Sequence, residues 1–311
     1  MQLISSLNVH KGKALAVIVA GICMSLVLGC GSDATDDGAT VPNTTTMDAT
    51  EQSTNSREIT PVLANSVLIT GQNRIAVGFL DSENRVLSDL DITAVFYREG
   101  GEAETNADDI VPLLPRMLGS EPHHADMYGA TLTVFAGMVN FPDPGRWGVT
   151  LNVTGGGRTY DPIRATFEVV ADSPQPAPGE QAPATRQTVL SQVSELGKID
   201  TSFEPDPTMH QRTIADALSD GRPMVVAFAT PAFCETRFCG PVMEEVIQPL
   251  QTMYGDRATF IHIEPYDVER ARSGQLVPVP AMAEWRLGSE PWVFVVNGDG
   301  SIAARFEGLV T

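Results

Sequence analysis

Two cysteines stand five positions apart in "FATPAFCETRFCGPVMEEV", Phe228 to Val246. A thiol pair at this separation can do one of three things. Cys234 and Cys239 can cycle between dithiol and disulfide, one of them attacking a partner disulfide as a thiolate. They can form a permanent cross-link that restricts the unfolded chain. Or two thiolates can serve as ligands to a soft metal ion. A disulfide needs Cα atoms within about 4.4–6.8 Å, whereas residues five apart on one helix lie about 140° around its axis. "CETRFC" is therefore not all helix. Gly240 and Pro241 suit a helix start, because the first helical N–H groups have no partner to lose. That puts Cys239 at a helix mouth, where N–H groups favour a thiolate, and Cys234 in the loop before it.

The flanking elements must hold this loop. "MVVAFAT" is a continuous apolar run, fit for a strand buried on both faces. Ahead of it, "MHQRTIADALSDGRP" places Ile214, Ala217 and Leu218 at helical spacing, with Gly221 as a stop. Behind the cysteines, Val242, Val246, Ile247 and Leu250 form a helical stripe. "ATFIHIEPY" then reads as a strand, "PAMAEWRLG" as a short helix, and "EPWVFVVNGDGSIAARFEG" as a hairpin about "NGDG".

This order, with a cysteine pair after a buried strand and opening a helix, resembles the thioredoxin fold over residues 188–311. The resemblance is nearest to membrane-tethered proteins of the TlpA, ResA and Sco kind. It implies an α/β thioredoxin-like domain, a redox-active pair at Cys234 and Cys239, and a cis proline beside them at Pro291 of "SEPWVF". "CGPV" resembles the start of thioredoxin's "CGPC" and makes Cys239 the low-pKa thiol with Cys234 its partner, although Cys234 matches better by distance from the strand. Arg237 is a cation able to lower either pKa. The Sco resemblance implies copper held by both thiolates and His262; a histidine within a strand is otherwise a core residue, and His210 reads as a surface one. Three features depart from the family: the four-residue spacing, no acid in "MVVAFAT" where thioredoxins bury an Asp, and a sequence that reaches Thr311 before the family's last helix.

The preceding region has strand periodicity. "NSVLIT", "RIAVGFL", "ITAVFYR", "ATLTVFAGMVNF", "RWGVTLNV" and "IRATFEVV" are separated by "DSEN", "DPG" and "GGG". In "RWGVTLNV", Trp147, Val149, Leu151 and Val153 alternate with smaller or polar residues, as in a half-buried strand. The pattern predicts an all-β immunoglobulin-like sandwich, and "FPDPGRWGVTL" is similar to the strand-turn-strand of FixH/YtkA-type modules. Its "EPHHADMY" gathers His123, His124 and Met127, soft-ligand types for copper, but neighbouring histidines on a strand face opposite ways. The stretch reads as a solvated loop and the domain as a spacer or docking module.

At the amino terminus, His10, Lys11 and Lys13 precede an apolar segment of signal-peptide length that ends "LVLGC". This resembles the lipobox of bacterial lipoproteins, which implies cleavage before Cys30 and lipid on its sulfur and new amino group. An ordinary cleaved signal or a short anchor is the alternative; each exports the protein. The resulting layout is a lipoprotein signal at 1–29, a Thr/Asp/Ser-rich tether at 30–59, the β-sandwich at 60–171, a Pro-rich linker at 172–188 and the thioredoxin-like domain at 189–311.

Charge narrows the partners. With 39 acidic against 20 basic residues, a net −19, the chain lacks the basic footprint that nucleic acid requires. The expectation is an extracytoplasmic thiol–disulfide oxidoreductase, lipid-anchored to a bacterial cell or outer membrane. Its substrates are protein thiols or disulfides, and no cofactor or metal is required. A Sco-like copper carrier and a binding lipoprotein with a structural disulfide are the alternatives.

Overall fold

The computed structural model describes residues 59–99, 110–119, 131–234 and 237–310. The Cys30 lipid site and the His123, His124 and Met127 group lie outside the described residues. Among the described residues, no helix is long and apolar enough to cross a membrane. The chain is mostly β: a curled multi-strand sheet is followed by a second, smaller one.

The first sheet is built from β1 (Ile59–Leu63), β2 (Leu68–Ile69), β3 (Gly71–Asp81), β4 (Asp91–Arg98), β5 (Ile110–Leu118), β6 (Leu132–Phe141), β7 (Gly145–Gly155), β8 (Arg158–Thr159) and β9 (Ile163–Val170). Its order is β1-β3-β6-β5-β4-β7-β9-β2, with β8 paired to β7. All six strand segments read from the sequence are present. In β7, Trp147, Val149, Leu151 and Val153 are buried while Asn152 and Thr154 are exposed. β1 and β5 escaped sequence reading because Pro61, Pro112 and Pro115 sit inside them, and a proline has no N–H to give a ladder. β5 tolerates two because it is a corner: Ile110–Leu113 pair with β4, and Leu114–Leu118 turn to pair with β6. The sheet thereby folds over a core of aromatic edges, with Phe141 against Trp147, Phe167 and Phe96 at 5.1, 5.6 and 5.7 Å. Burying one such ring is worth roughly 1.5–3 kcal/mol.

The second sheet has the order β11-β10-β12-β13, from β10 (Met224–Phe228), β11 (Thr259–Ile263), β12 (Trp292–Val296) and β13 (Ile302–Glu307). β11 runs parallel to β10, β12 antiparallel to β10, and β13 antiparallel to β12. As its apolar run requires, β10 is interior, and Val225 alone of its residues is only half-buried. One face carries Phe228, Trp285 and Phe294, with ring centroids 4.7–6.2 Å apart.

The other face meets the first sheet. Ala76, Leu132, Val134 and Ala136 share one apolar cluster with Cys239, Val242, Met243 and Val293. Polar ties flank it: Gly119 N–H donates to Glu245 Oε1 at 2.8 Å, Ser66 N–H to Glu307 Oε2 at 2.8 Å, and Arg74 to the Leu309 carbonyl at 3.0 Å. The Pro-rich stretch 172–188 lies along β13, where Gly179 N–H bonds Ile302 O and Ile302 N–H bonds Glu180 O, both at 2.8 Å.

Candidate active site at the Cys234–Cys239 loop

β10 ends at Phe228, and the chain turns at once: Phe233 N–H bonds the Thr230 carbonyl at 3.1 Å. Arg237 then takes φ +64°, the left-handed region that costs a non-glycine residue energy and marks a turn the surroundings enforce. The helix opens at Cys239, with Phe238 as its N-cap, two residues before the start read at Pro241. Pro241 still falls within the first turn, where its missing N–H leaves no bond unmade. Helical segments Cys239–Val242, Met243–Ile247 and Gln248–Tyr254 follow without a break, and the middle one is a π-helical turn. Pro249, just beyond it, cannot donate to a carbonyl four residues back, and the widened turn accommodates that loss.

The turn brings the two cysteines together. Cys239 N–H donates to Cys234 Sγ at 3.3 Å. Both residues are thiols, and their settings differ: Cys234 is half-buried and Cys239 is fully buried. Burial, then contact with the Cys234 sulfur, pushes the Cys239 thiol well above its ordinary pKa; a backbone hydrogen bond from Thr230 acts weakly the other way, and the Glu290 carboxylate adds a small upward push. The expectation that Cys239 is the low-pKa thiol is therefore overturned. Its place at the helix mouth does favour a thiolate, but Ala76, Val134 and Ala136 of the first sheet share its cluster and help exclude the water that would solvate the charge.

Pro291 immediately precedes β12. The Glu290–Pro291 peptide is cis, and the Pro291 carbonyl accepts Gly308 N–H at 2.9 Å. Glu290 is buried and accepts the Tyr266 hydroxyl at 2.9 Å. The Glu290–Pro291 loop reaches the cysteine segment through Gly308, where an added Cβ would sit 3.7 Å from the Phe238 ring, and through Val293, which shares the apolar cluster of Cys239.

A second polar cluster lies past the end of β10. His262 on β11 is buried, as a core histidine, but His210 is buried too, against the surface position read from sequence. His210 Nε2 is 2.9 Å from Asp200 Oδ2, and His262 Nδ1 is 3.5 Å from the same oxygen. Burial by itself would lower the His262 pKa, but the Asp200 carboxylate outweighs it and raises the ring to about 9. For His210 burial prevails and the pKa falls. Burial would raise Asp200, yet His262, His210 and Ser202 hold it far below the usual carboxylate range. Glu264, buried one residue past β11, has its pKa raised by burial. Sequence reading missed Asp200 and Glu264: Asp200 lies in an irregular stretch, and Glu264, near the end of "ATFIHIEPY", carries no local sign of its burial. Among the described residues, His262 and the two thiols do not form a shared ligand group.

The thiol pair thus has a half-buried member and a fully buried one. No protein-family model, curated protein or solved structure matches this chain.

Proposed function

We propose that this chain is an exported, lipid-anchored thiol–disulfide oxidoreductase in which Cys234 attacks and Cys239 resolves. The observation that carries this reading is the asymmetry of the pair, with Cys239 N–H held on the Sγ of a more accessible Cys234. A thiolate on Cys234 attacks a substrate disulfide, a mixed disulfide forms, and one substrate sulfur leaves as a thiol after taking a proton. Cys239 then loses its proton and attacks Cys234 Sγ, releasing the second substrate sulfur and closing the Cys234–Cys239 bond. Two electrons pass to the substrate, and the reverse sequence oxidises a dithiol.

The thioredoxin-like assignment is supported by the β11-β10-β12-β13 order, the parallel β10–β11 crossover through the cysteine helix, and the cis peptide at Pro291. The corner at β5 supports an immunoglobulin-like sandwich, which here also shields the resolving thiol. Export and lipid attachment at Cys30 are supported by "LVLGC" and the basic residues before it.

The test is substrate trapping. Cys239→Ser should accumulate mixed disulfides through Cys234, and Cys234→Ser should not, while both lose insulin reduction. Equal trapping by the two variants, or insulin reduction surviving either, would refute the assignment.

A further inference from the structure

Away from the thiols, Asp200, His210 and His262 bring one ligand atom each to within 4.8 Å of one another, and all three residues are buried. They come from separate segments: an irregular stretch, the end of the 3-10 turn Pro207–His210, and β11. Asp200 Oδ1 is occupied by Ser202 N–H at 2.8 Å, which aims Oδ2 at the two rings. His262 Nε2 lies 2.9 Å from the Ala229 carbonyl oxygen. A carbonyl only accepts, so Nε2 carries the proton and donates. Nδ1 is buried, without a well-formed hydrogen bond, and faces a carboxylate oxygen 3.5 Å away. That arrangement calls for a positive species between them: a proton, when the ring is an imidazolium, or a metal ion that displaces the proton.

A backbone carbonyl that fixes the far nitrogen of an imidazole is the usual outer partner of a metal-binding histidine. Ligands about 2.0–2.2 Å from a tetrahedral zinc ion lie about 3.3–3.5 Å from each other. The 3.5 Å separation falls within that range, and the 2.9 Å one is a hydrogen bond that has to open by about 0.4 Å as an ion replaces its proton. We infer that Asp200, His210 and His262 form a binding site for a divalent transition-metal ion of the zinc class. Two imidazoles and a carboxylate suit such an ion better than the thiolate-seeking Cu(I). Three protein ligands leave a fourth position, and a cleft of about 400 Å³ adjoins the site, lined in part by His210, His262, Glu264 and Glu284. The site is independent of the thiol chemistry and uses neither cysteine.

The test titrates Zn²⁺ into the full chain carrying Cys234→Ser and Cys239→Ser, so that sulfur ligation is excluded. Saturable binding of a single equivalent is expected, and Co²⁺ in its place should give the visible absorption of a four- or five-coordinate nitrogen–oxygen site with no thiolate band. Asp200→Asn and His210→Ala should each weaken Zn²⁺ binding by more than the roughly 10–100-fold that losing an outer partner costs. Glu284→Gln, on the cleft wall, should leave it unchanged. Absence of saturable Zn²⁺ binding in the thiol-free chain overturns the site, as does affinity that survives loss of both Asp200 and His210. Should the ligand variants fail to fold, the Co²⁺ spectrum decides: a spectrum of free hexaaquo ion refutes the site.

Discussion

The burial difference between the two thiols translates into a reactivity difference that can be measured directly. Cys239 is fully buried, and its pKa is pushed well above the ordinary thiol value. A thiol at the ordinary value of about 8.5 is only about 3% thiolate at pH 7, and each further unit removes another factor of ten. Since the thiolate is the nucleophile, Cys239 should react with iodoacetamide at under about 3% of the rate of an exposed, fully ionised cysteine at pH 7. Shielding by the first sheet lowers the rate further. Its rate should also climb about tenfold per unit from pH 7 to 9 without levelling, because its pKa lies above that window. Cys234 should label first throughout. The assay is pulsed alkylation of the reduced chain between pH 6 and 9, with site-resolved mass spectrometry. Labelling of Cys239 as fast as Cys234, or a Cys239 rate that saturates below pH 8, would refute the reasoning.

Three further outcomes follow from packing and charge. Met243 is fully buried in the cluster shared by the two sheets, so Met243→Ala should cost about 2–5 kcal/mol in denaturant unfolding; a loss under half a kcal/mol would contradict that packing. Gly137 lies against the β5 corner, where an added Cβ would sit 2.8 Å from Val111 and 2.9 Å from the Pro112 carbonyl; Gly137→Ala should therefore destabilise by about 1–3 kcal/mol, and a neutral result would argue against the corner. Glu307 is held by Ser66 and Ser289, but burial raises its folded-state pKa above the unfolded one. A raised pKa contributes stability that is complete below the unfolded value of about 4.3 and is lost as pH rises through the folded value. The stability of the wild type relative to Glu307→Gln should accordingly fall with rising pH across that range, and a flat or rising difference would exclude the raised pKa.

Much of this architecture was legible in local sequence. Alternation in "RWGVTLNV" and the unbroken apolar run "MVVAFAT" report a half-buried and an interior strand, because side-chain period and burial are local properties. The cysteine loop was legible too, since helix geometry forbids two sulfurs five residues apart from meeting on one turn. Strands β1 and β5 were not, because their prolines signal a break wherever no corner or edge is known to accept them. The unequal shielding of the two thiols was hidden for a different reason. Cys239 owes its shielding in part to Ala76, Val134 and Ala136, which come from a sheet more than a hundred residues earlier in the chain. His210 looked like a surface residue because nothing near it in sequence announces Asp200 as a buried partner.

The central claim is that Cys234 and Cys239 interconvert between thiols and disulfide under physiological conditions. Equilibrium titration of the pair in glutathione or dithiothreitol buffers, read by the fraction of disulfide, measures its reduction potential. A value above about −300 mV is expected of an exchanging pair, whereas a lower one belongs to a structural bond. A potential well below that mark, or a failure of the two sulfurs to join at any buffer ratio, would contradict the account.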